Sequence, residues 1–278
     1  MRILVTGSDG LVATNIIPFL KEHFEIIPAL EKEWDINDRD KGRAVLRSTQ
    51  PHVLLNLAAM TNVDGCEDVP DEAQRVNGEG PGVLADLCRE EGVKIAHFST
   101  DYVFDGSGQR PYREDDRTNP LSVYGRSKLL GEQEVMKRTD NFLIIRTQWI
   151  YGDGGENFIT KVTRLGKEKG TVSVVNDQTG SPTYAKDLAQ PVAALIQGNC
   201  SGIYHVTNDG SCTWFDLAQE IFSILSLPVT CLPISSDQLQ RKATRPTYSV
   251  FECSKVQAHT GHHMRHWREA LQEYLTRQ

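Results

Sequence analysis

Five short runs rich in β-branched residues and leucine recur through the first half of the chain, each followed by a helical pattern. Residues 2–6 form an apolar run of the kind that makes a strand buried on both faces. Residues 11–20 follow, with Leu11, Ile16, Phe19 and Leu20 at helical spacing. Further strands are expected at 25–30, 52–57, 94–98 and 142–147, and further helices at 38–48, 72–91 and 122–138. The 72–91 helix carries Gly78, Gly80 and Gly82, which predicts a loosely held centre. Strict alternation of strand and helix implies a parallel sheet covered by helices on both faces.

After Ile150 the rhythm breaks into a Gly-rich segment, a helix at 157–169, a strand at 171–175 and a turn-rich stretch. A helix near 185–196 is expected to return to the first layer. The mixed remainder ends in an amphipathic helix at 267–275. Residues 101–121 are polar, turn-rich and too long for an idle connection, which fits a mobile segment over a site.

With 278 residues the chain can bury a large core without cross-links. Its 30 Lys and Arg against 37 Asp and Glu leave a formal net charge of -7. That is a poor starting point for binding nucleic acid. No apolar run approaches the roughly 20 residues that span a bilayer, so no membrane partner is expected. The N-terminal MRILVTGSDG has too short an apolar stretch for a signal peptide. Cys66, Cys88, Cys200, Cys212, Cys231 and Cys253 are scattered without a C-x-x-C pair. They read as reduced thiols in a cytoplasmic protein.

Gly7-Ser8-Asp9-Gly10-Leu11-Val12-Ala13 joins the first strand to the first helix. A glycine suits the sharp turn, a second lets the backbone approach a pyrophosphate, and a small residue suits helix–strand packing. The spacing is G-x-x-G-x-x-A, and the pyrophosphate would rest on the helix N-terminus. This points to a dinucleotide-binding domain over 1–150, with helix 184–197 returning to it. Residues 151–183 and 198–278 would form a smaller α+β lobe. Gly7, Asp9, Gly10, Leu11 and Val12 are the first cofactor candidates. Glu31, at the end of the second strand, can take the ribose hydroxyls of NAD, whereas its neighbour Lys32 suits a 2′-phosphate. The carboxylate tilts the expectation slightly to NADH over NADPH, and a solvated charge pair is the plain alternative. Asp35 and Ile36 are candidates for closing over the adenine edge.

Tyr124 and Lys128 lie four apart at the start of a predicted helix and so share a face. A carbonyl reductase needs an acid beside the oxygen, and a nearby ammonium would lower the phenol's pKa. A surface pair is the ordinary reading of such spacing. Its context is the segment Ser99-Thr100-Asp101-Tyr102-Val103-Phe104 after the fourth strand, at the sheet edge where open α/β folds bind ligands. Thr100 there can polarise the same carbonyl.

Together the glycine turn, S-T-D-Y-V-F and Y-x-x-x-K resemble the extended short-chain dehydrogenase/reductase family, and within it the branch that acts on dTDP-linked 4-ketosugars. The resemblance covers nearly the whole chain, including Asn56-Leu57-Ala58-Ala59-Met60-Thr61-Asn62, Asn77, Arg146-Thr147-Gln148-Trp149 and Arg245-Pro246. It implies a Rossmann-type doubly wound sheet with a substrate lobe. It also implies NAD(P)H-dependent reduction of the 4-keto group of dTDP-4-dehydro-L-rhamnose, with Thr100, Tyr124 and Lys128 as the catalytic trio. Ala58, Ala59 and Met60 match a loop lining the cofactor. Thr100, Asp101, Tyr102, Val103, Phe104, Trp149 and Arg245 are expected at the nucleotide sugar, Arg245 at its diphosphate or in a salt bridge. Dehydratase relatives carry Thr-Asp-Glu, but Tyr102 takes the third place here, so elimination lacks its base.

Some family members hold Mg²⁺ between subunits through a glutamate on the first helix. Asn15 stands at that position, so no metal is expected, and a monomer and a weak homodimer both stay open. His259, His262, His263 and His266 lack a carboxylate or thiol among them and read as a solvated, irregular helix start more than a metal site. Two other functions stay open. One is reduction or epimerisation of another nucleotide 4-ketosugar. The other is a non-catalytic role like that of the methionine adenosyltransferase regulatory subunit, which resembles the same family.

Overall fold

The computed structural model describes residues 1–277. The first half runs β1 (Arg2–Thr6), α1 (Leu11–His23), β2 (Glu25–Ala29), α2 (Arg39–Thr49), β3 (Val53–Asn56), α3 (Val63–Asp68), α4 (Pro70–Gln74), α5 (Gly80–Glu90), β4 (Lys94–Thr100), α6 (Val123–Arg138) and β5 (Phe142–Thr147). The second half runs β6 (Ile150–Tyr151), α7 (Phe158–Lys169), β7 (Thr171–Val175), β8 (Thr179–Gly180), β9 (Thr183–Tyr184), α8 (Ala189–Gln197), β10 (Gly202–His205), β11 (Cys212–Thr213), α9 (Trp214–Ile224), β12 (Thr230–Ile234), α10 (Ser254–Thr260) and α11 (Trp267–Thr276).

The central sheet has the order β10-β5-β4-β3-β1-β2, and its pairings are all parallel. Alternation along each strand feeds two layers. Ile3, Val5, Leu55, Phe98, Leu143 and Ile145 pack with Ile16 and Leu20 of α1 and Val192 and Leu195 of α8. Leu4, Leu54, Ile95 and Ile144 face the other way, toward Leu46, Leu84, Leu87 and Val135 of α2, α5 and α6. The expected doubly wound α/β sheet is therefore present. A separate core gathers Val162, Val172, Leu217, Ile221, Trp267, Leu271 and Tyr274 from α7, β7, α9 and α11.

Local signals explain the ends of several helices. Asp38 accepts from Lys41 N at the start of α2, and Ser122 accepts from Gly125 N at the start of α6. Capping boxes built on Asn157 and Thr213 open α7 and α9.

Three expectations need correction. Residues 202–205 were assigned to the second lobe, yet β10 pairs with β5 and completes the sheet. The 72–91 helix is not loose at its glycines. It passes through a π-helical turn at Arg75–Glu79, and its glycines are close-contact points. A Cβ on Gly78 would meet Leu130 Cδ2 at 2.6 Å, and one on Gly131 of α6 would meet the Asn77 carbonyl oxygen at 2.3 Å. Nor is the 101–121 segment free along its length. Glu114 accepts from His205 N (3.1 Å), Tyr112 O lies 3.1 Å from His205 Nδ1, and Arg146 donates to Glu114 O (3.2 Å). Arg146 is itself buried in a two-point pair with Glu132 at 2.9 and 2.7 Å.

Candidate active site

The carboxyl ends of β1, β3 and β4 and the first turns of α1 and α6 meet at one edge of the sheet. Gly7 has φ +62, and a Cβ there would meet Ala58 N at 2.7 Å, so the turn needs glycine twice over. Gly10 caps α1 with no side-chain hydrogen bond, and no acidic residue sits in the first turn. The N–H groups around Leu11 and Val12 are thus left for an anion. Ala13 is buried behind them, and Asp9 is exposed. These features fit the pyrophosphate of a dinucleotide.

Glu31 and Lys32 are both exposed at the end of β2. Asp35 pairs with Arg75 (2.8 Å). Ile36 is buried, and its Cδ1 would lie 2.6 Å from a Cβ on Gly80. Its side chain packs into the core under α5.

Ala58, Ala59 and Met60 follow β3 and are half-buried. Two buried amides hold this loop. Asn56 Oδ1 accepts from Thr6 Oγ1 (2.6 Å) and Ala58 N (3.2 Å), while its Nδ2 lies 3.0 Å from His97 Nδ1. Since the Asn56 Nδ2 donates, His97 Nδ1 must accept, which places the imidazole proton on Nε2. Burial and the charge of Lys128 hold His97 well below its ordinary pKa, so it is neutral. Asn77 accepts from Met60 N (2.8 Å) and donates to Met60 O (3.0 Å) and Ser127 Oγ (3.1 Å). It ties the loop to α6 between Tyr124 and Lys128. Sequence reading assigned no role to His97 or Ser127, and nothing in their neighbours signals one.

Thr100, Tyr124 and Lys128 converge as expected and are all buried. Tyr124 lies beside Thr100. Lys128 Nζ donates to Phe98 O (2.7 Å), and the nearby Glu132, whose charge favours the ammonium, is itself paired with Arg146. Burial brings its ammonium down to about 8. The expected lowering of the phenol is not seen. Burial dominates and pushes Tyr124 above its usual range, with Asp101 and Tyr102 adding to the rise. A phenol held this way stays protonated at neutral pH and can serve as an acid.

Tyr102 packs edge-on against Tyr124, with ring centroids 5.3 Å apart. Val103 and Phe104 are fully buried, and Phe104 stacks on Tyr112 at 4.2 Å. Their expected contact with substrate is corrected: they are the small core that supports the strand end. Arg245 grips Asp64 of α3 at 3.2 and 3.1 Å and touches Tyr102. The salt bridge is the alternative realised. Trp149, at φ +48, stacks flat on Trp214 at 3.6 Å.

Trp214, not Trp149, lines the adjoining cavity of about 690 Å³. Phe158, Val174, Gln178 and Tyr102 share that wall with Arg241 and Arg245. An apolar wall beside two guanidinium groups suits a base joined to phosphate.

The sheet, the glycine turn and the buried Thr–Tyr–Lys group define a Rossmann-type oxidoreductase that uses a nicotinamide cofactor. A family model, described as RmlD substrate binding domain, matches residues 1–278. The chain belongs to that family. It is 44% identical to a dTDP-4-dehydrorhamnose reductase of Streptomyces griseus, covering 98% of this chain and 92% of the relative. It is 40% identical to a dTDP-4-keto-6-deoxy-D-glucose reductase of Streptomyces niveus, covering 97% and 95%. A solved dTDP-4-dehydrorhamnose reductase of Bacillus anthracis, in complex with NADP, superposes with TM-score 0.96 at 36% identity, covering 100% of this chain and 99% of that one.

Proposed function

We propose that the protein reduces the 4-keto group of dTDP-4-dehydro-L-rhamnose to give dTDP-L-rhamnose. The observation that carries this reading is the buried Tyr124, kept protonated beside Thr100 and packed against Tyr102, whose ring lines a nucleotide-sized cavity. Gly7, Gly10, Leu11, Val12 and the Ala58–Met60 loop would hold NADH or NADPH, with Glu31 and Lys32 facing its ribose. When bound, the reduced nicotinamide supplies the hydride. Tyr124 gives its phenolic proton to the carbonyl oxygen as the new C–H bond forms. Thr100 orients that oxygen. Lys128, on the next turn, holds positive charge where the phenolate would develop. Asp101 and Tyr102 flank this group, and the second lobe takes the nucleotide sugar. The six cysteines are unpaired and no helix among the described residues is long and apolar enough to cross a membrane, so we read the enzyme as cytoplasmic.

A metal-bridged dimer through α1 is not part of this reading. Asn15 spends its amide on Leu11 O (2.7 Å), Asp153 O (2.8 Å) and Asp153 N (3.2 Å), which pins α1 to the Gly-rich segment.

The test is oxidation of NADH and of NADPH with dTDP-4-dehydro-L-rhamnose, beside Tyr124→Phe. The wild type should turn over, and the variant should lose about 10²–10⁴-fold in kcat while still binding dinucleotide. Protein that binds dinucleotide but leaves this substrate untouched refutes the substrate. A similarly related ketosugar reductase makes dTDP-4-keto-6-deoxy-D-glucose the next substrate to run.

A further inference from the structure

Asp101 is a buried carboxyl, 2% exposed, at the heart of the site. Its Oδ1 lies 3.0 Å from Thr100 Oγ1, and its Oδ2 has no hydrogen-bond partner. The neighbouring hydroxyl, Ser249, has no proton to offer it. Ser249 Oγ donates to Gln148 Oε1 (3.0 Å), whose orientation is set because Gln148 Nε2 donates to Ser249 O (2.8 Å) and Oε1 accepts from Ser181 N (3.1 Å). Ser249 therefore supplies Asp101 with no donor, and an ionised Oδ2 would stay unsatisfied.

Thr100 has a single proton. With Asp101 ionised, that proton is drawn to Oδ1. The Thr100 oxygen then accepts from Tyr102 N (3.3 Å) and has nothing to donate to a substrate. With Asp101 neutral and its proton on Oδ2, the pull of Oδ1 on the Thr100 hydroxyl weakens and Thr100 is released to turn outward.

We propose that Asp101 is a positioning residue for the reduction described above, its carboxyl proton deciding whether Thr100 can donate to the substrate's oxygen. Burial raises the carboxyl to about 6, against the Thr100 hydroxyl and the local backbone N–H groups, which favour its charged form. The groups that face it are Thr100 and Tyr102 beside it in the chain, Tyr124 from α6 and Ser249 from the returning segment. Only the two phenols titrate, and burial holds both above their usual range. The nearest cations of the site, Lys128 and Arg245, are engaged by Phe98 O and Asp64.

The proposal rests on the ketoreductase reading, and two readouts separate their fates. In the first, kcat/KM for ketosugar reduction should fall about tenfold per pH unit from about pH 6 to the onset of Lys128 titration near 8 in the wild type, as the neutral acid is depleted. Asp101→Asn should remove this limb, because an amide donor replaces the acid at every pH. Thr100→Val should also remove it, and Thr100→Ser should restore it. A limb that survives in Asp101→Asn overturns the proposal. The second readout needs no substrate: difference infrared spectra of wild type against Asp101→Asn should show a carboxylic-acid carbonyl band that titrates near pH 6. That band supports the proton's location whether or not the ketosugar is turned over, and its absence overturns the proposal even in active enzyme.

Discussion

Lys128 is a charge placed where solvation is poor. Its ammonium has one strong partner, the Phe98 carbonyl, and burial moves its pKa from 10.5 to about 8. The sign of the effect on stability follows from proton counts. Between about pH 8 and 10.5 the unfolded chain holds more protons than the folded one, so this group makes stability rise with pH there; below 8 its full cost is present. Lys128→Met should therefore be more stable than wild type at pH 7, by about 1–3 kcal/mol after allowing for the carbonyl left without its donor. The gap should close by pH 10. Chemical denaturation at the two pH values measures it. Equal stabilities at pH 7 would mean the ammonium is better solvated than its surroundings suggest. The same substitution should abolish turnover, a trade of stability for activity at one side chain.

The elements that carry the site meet through small residues and one amide. The π-turn at Arg75–Glu79 presents Asn77 to the Ala58–Met60 loop, and Gly131 lets α6 come down onto the Asn77 carbonyl. Asn77→Ala would strand the Met60 N–H and C=O. The expected result is a loss of about 2–3 kcal/mol in stability and weaker dinucleotide binding, read by thermal denaturation and cofactor titration. Unchanged dinucleotide affinity would show that the loop holds its shape without the clamp. Much of this level could be read from the chain. The βα rhythm, the glycine turn and the Tyr124–Lys128 spacing are periodic signals, and each maps to an observed element. What escaped reading was non-local. Residues 202–205 are too short a run to declare a sheet strand, and only the parallel ladder to β5 makes them one. Phe104 looks like a site residue because it lies close to Thr100, yet its ring is consumed by Tyr112 of the same segment and Phe251 from a distant one. The proton arrangement of Asp101 depends on Ser249 and Gln148, which no local pattern connects to it.

Across the whole molecule, the second lobe is strapped to α3 near the cofactor loop. Asp64 receives Arg241, Ala243 N and both terminal nitrogens of Arg245, at 3.1 to 3.2 Å, and Lys242 pairs with Asp68. Burial alone would raise Asp64, but Arg245, Ala243 N–H and Arg241 outweigh it and bring it to about 2. A lowered carboxylate stabilises above its unfolded pKa and loses that contribution as pH falls from about 4 toward 2. Asp64→Asn should loosen residues 241–245, seen as faster amide exchange there at neutral pH, and raise KM for the nucleotide sugar more than it lowers kcat. Exchange at wild-type rates would show that the strap is held by packing alone. The return of α8 and β10 to the sheet has a different consequence. The chain leaves the central sheet and its layers after β5, which ends at Thr147, and re-enters them at α8, which starts at Ala189. Neither half is a contiguous cassette. A single splice point therefore cannot exchange either half whole: one crossover after β5 would carry α8 and β10 of the central layers along with the second lobe.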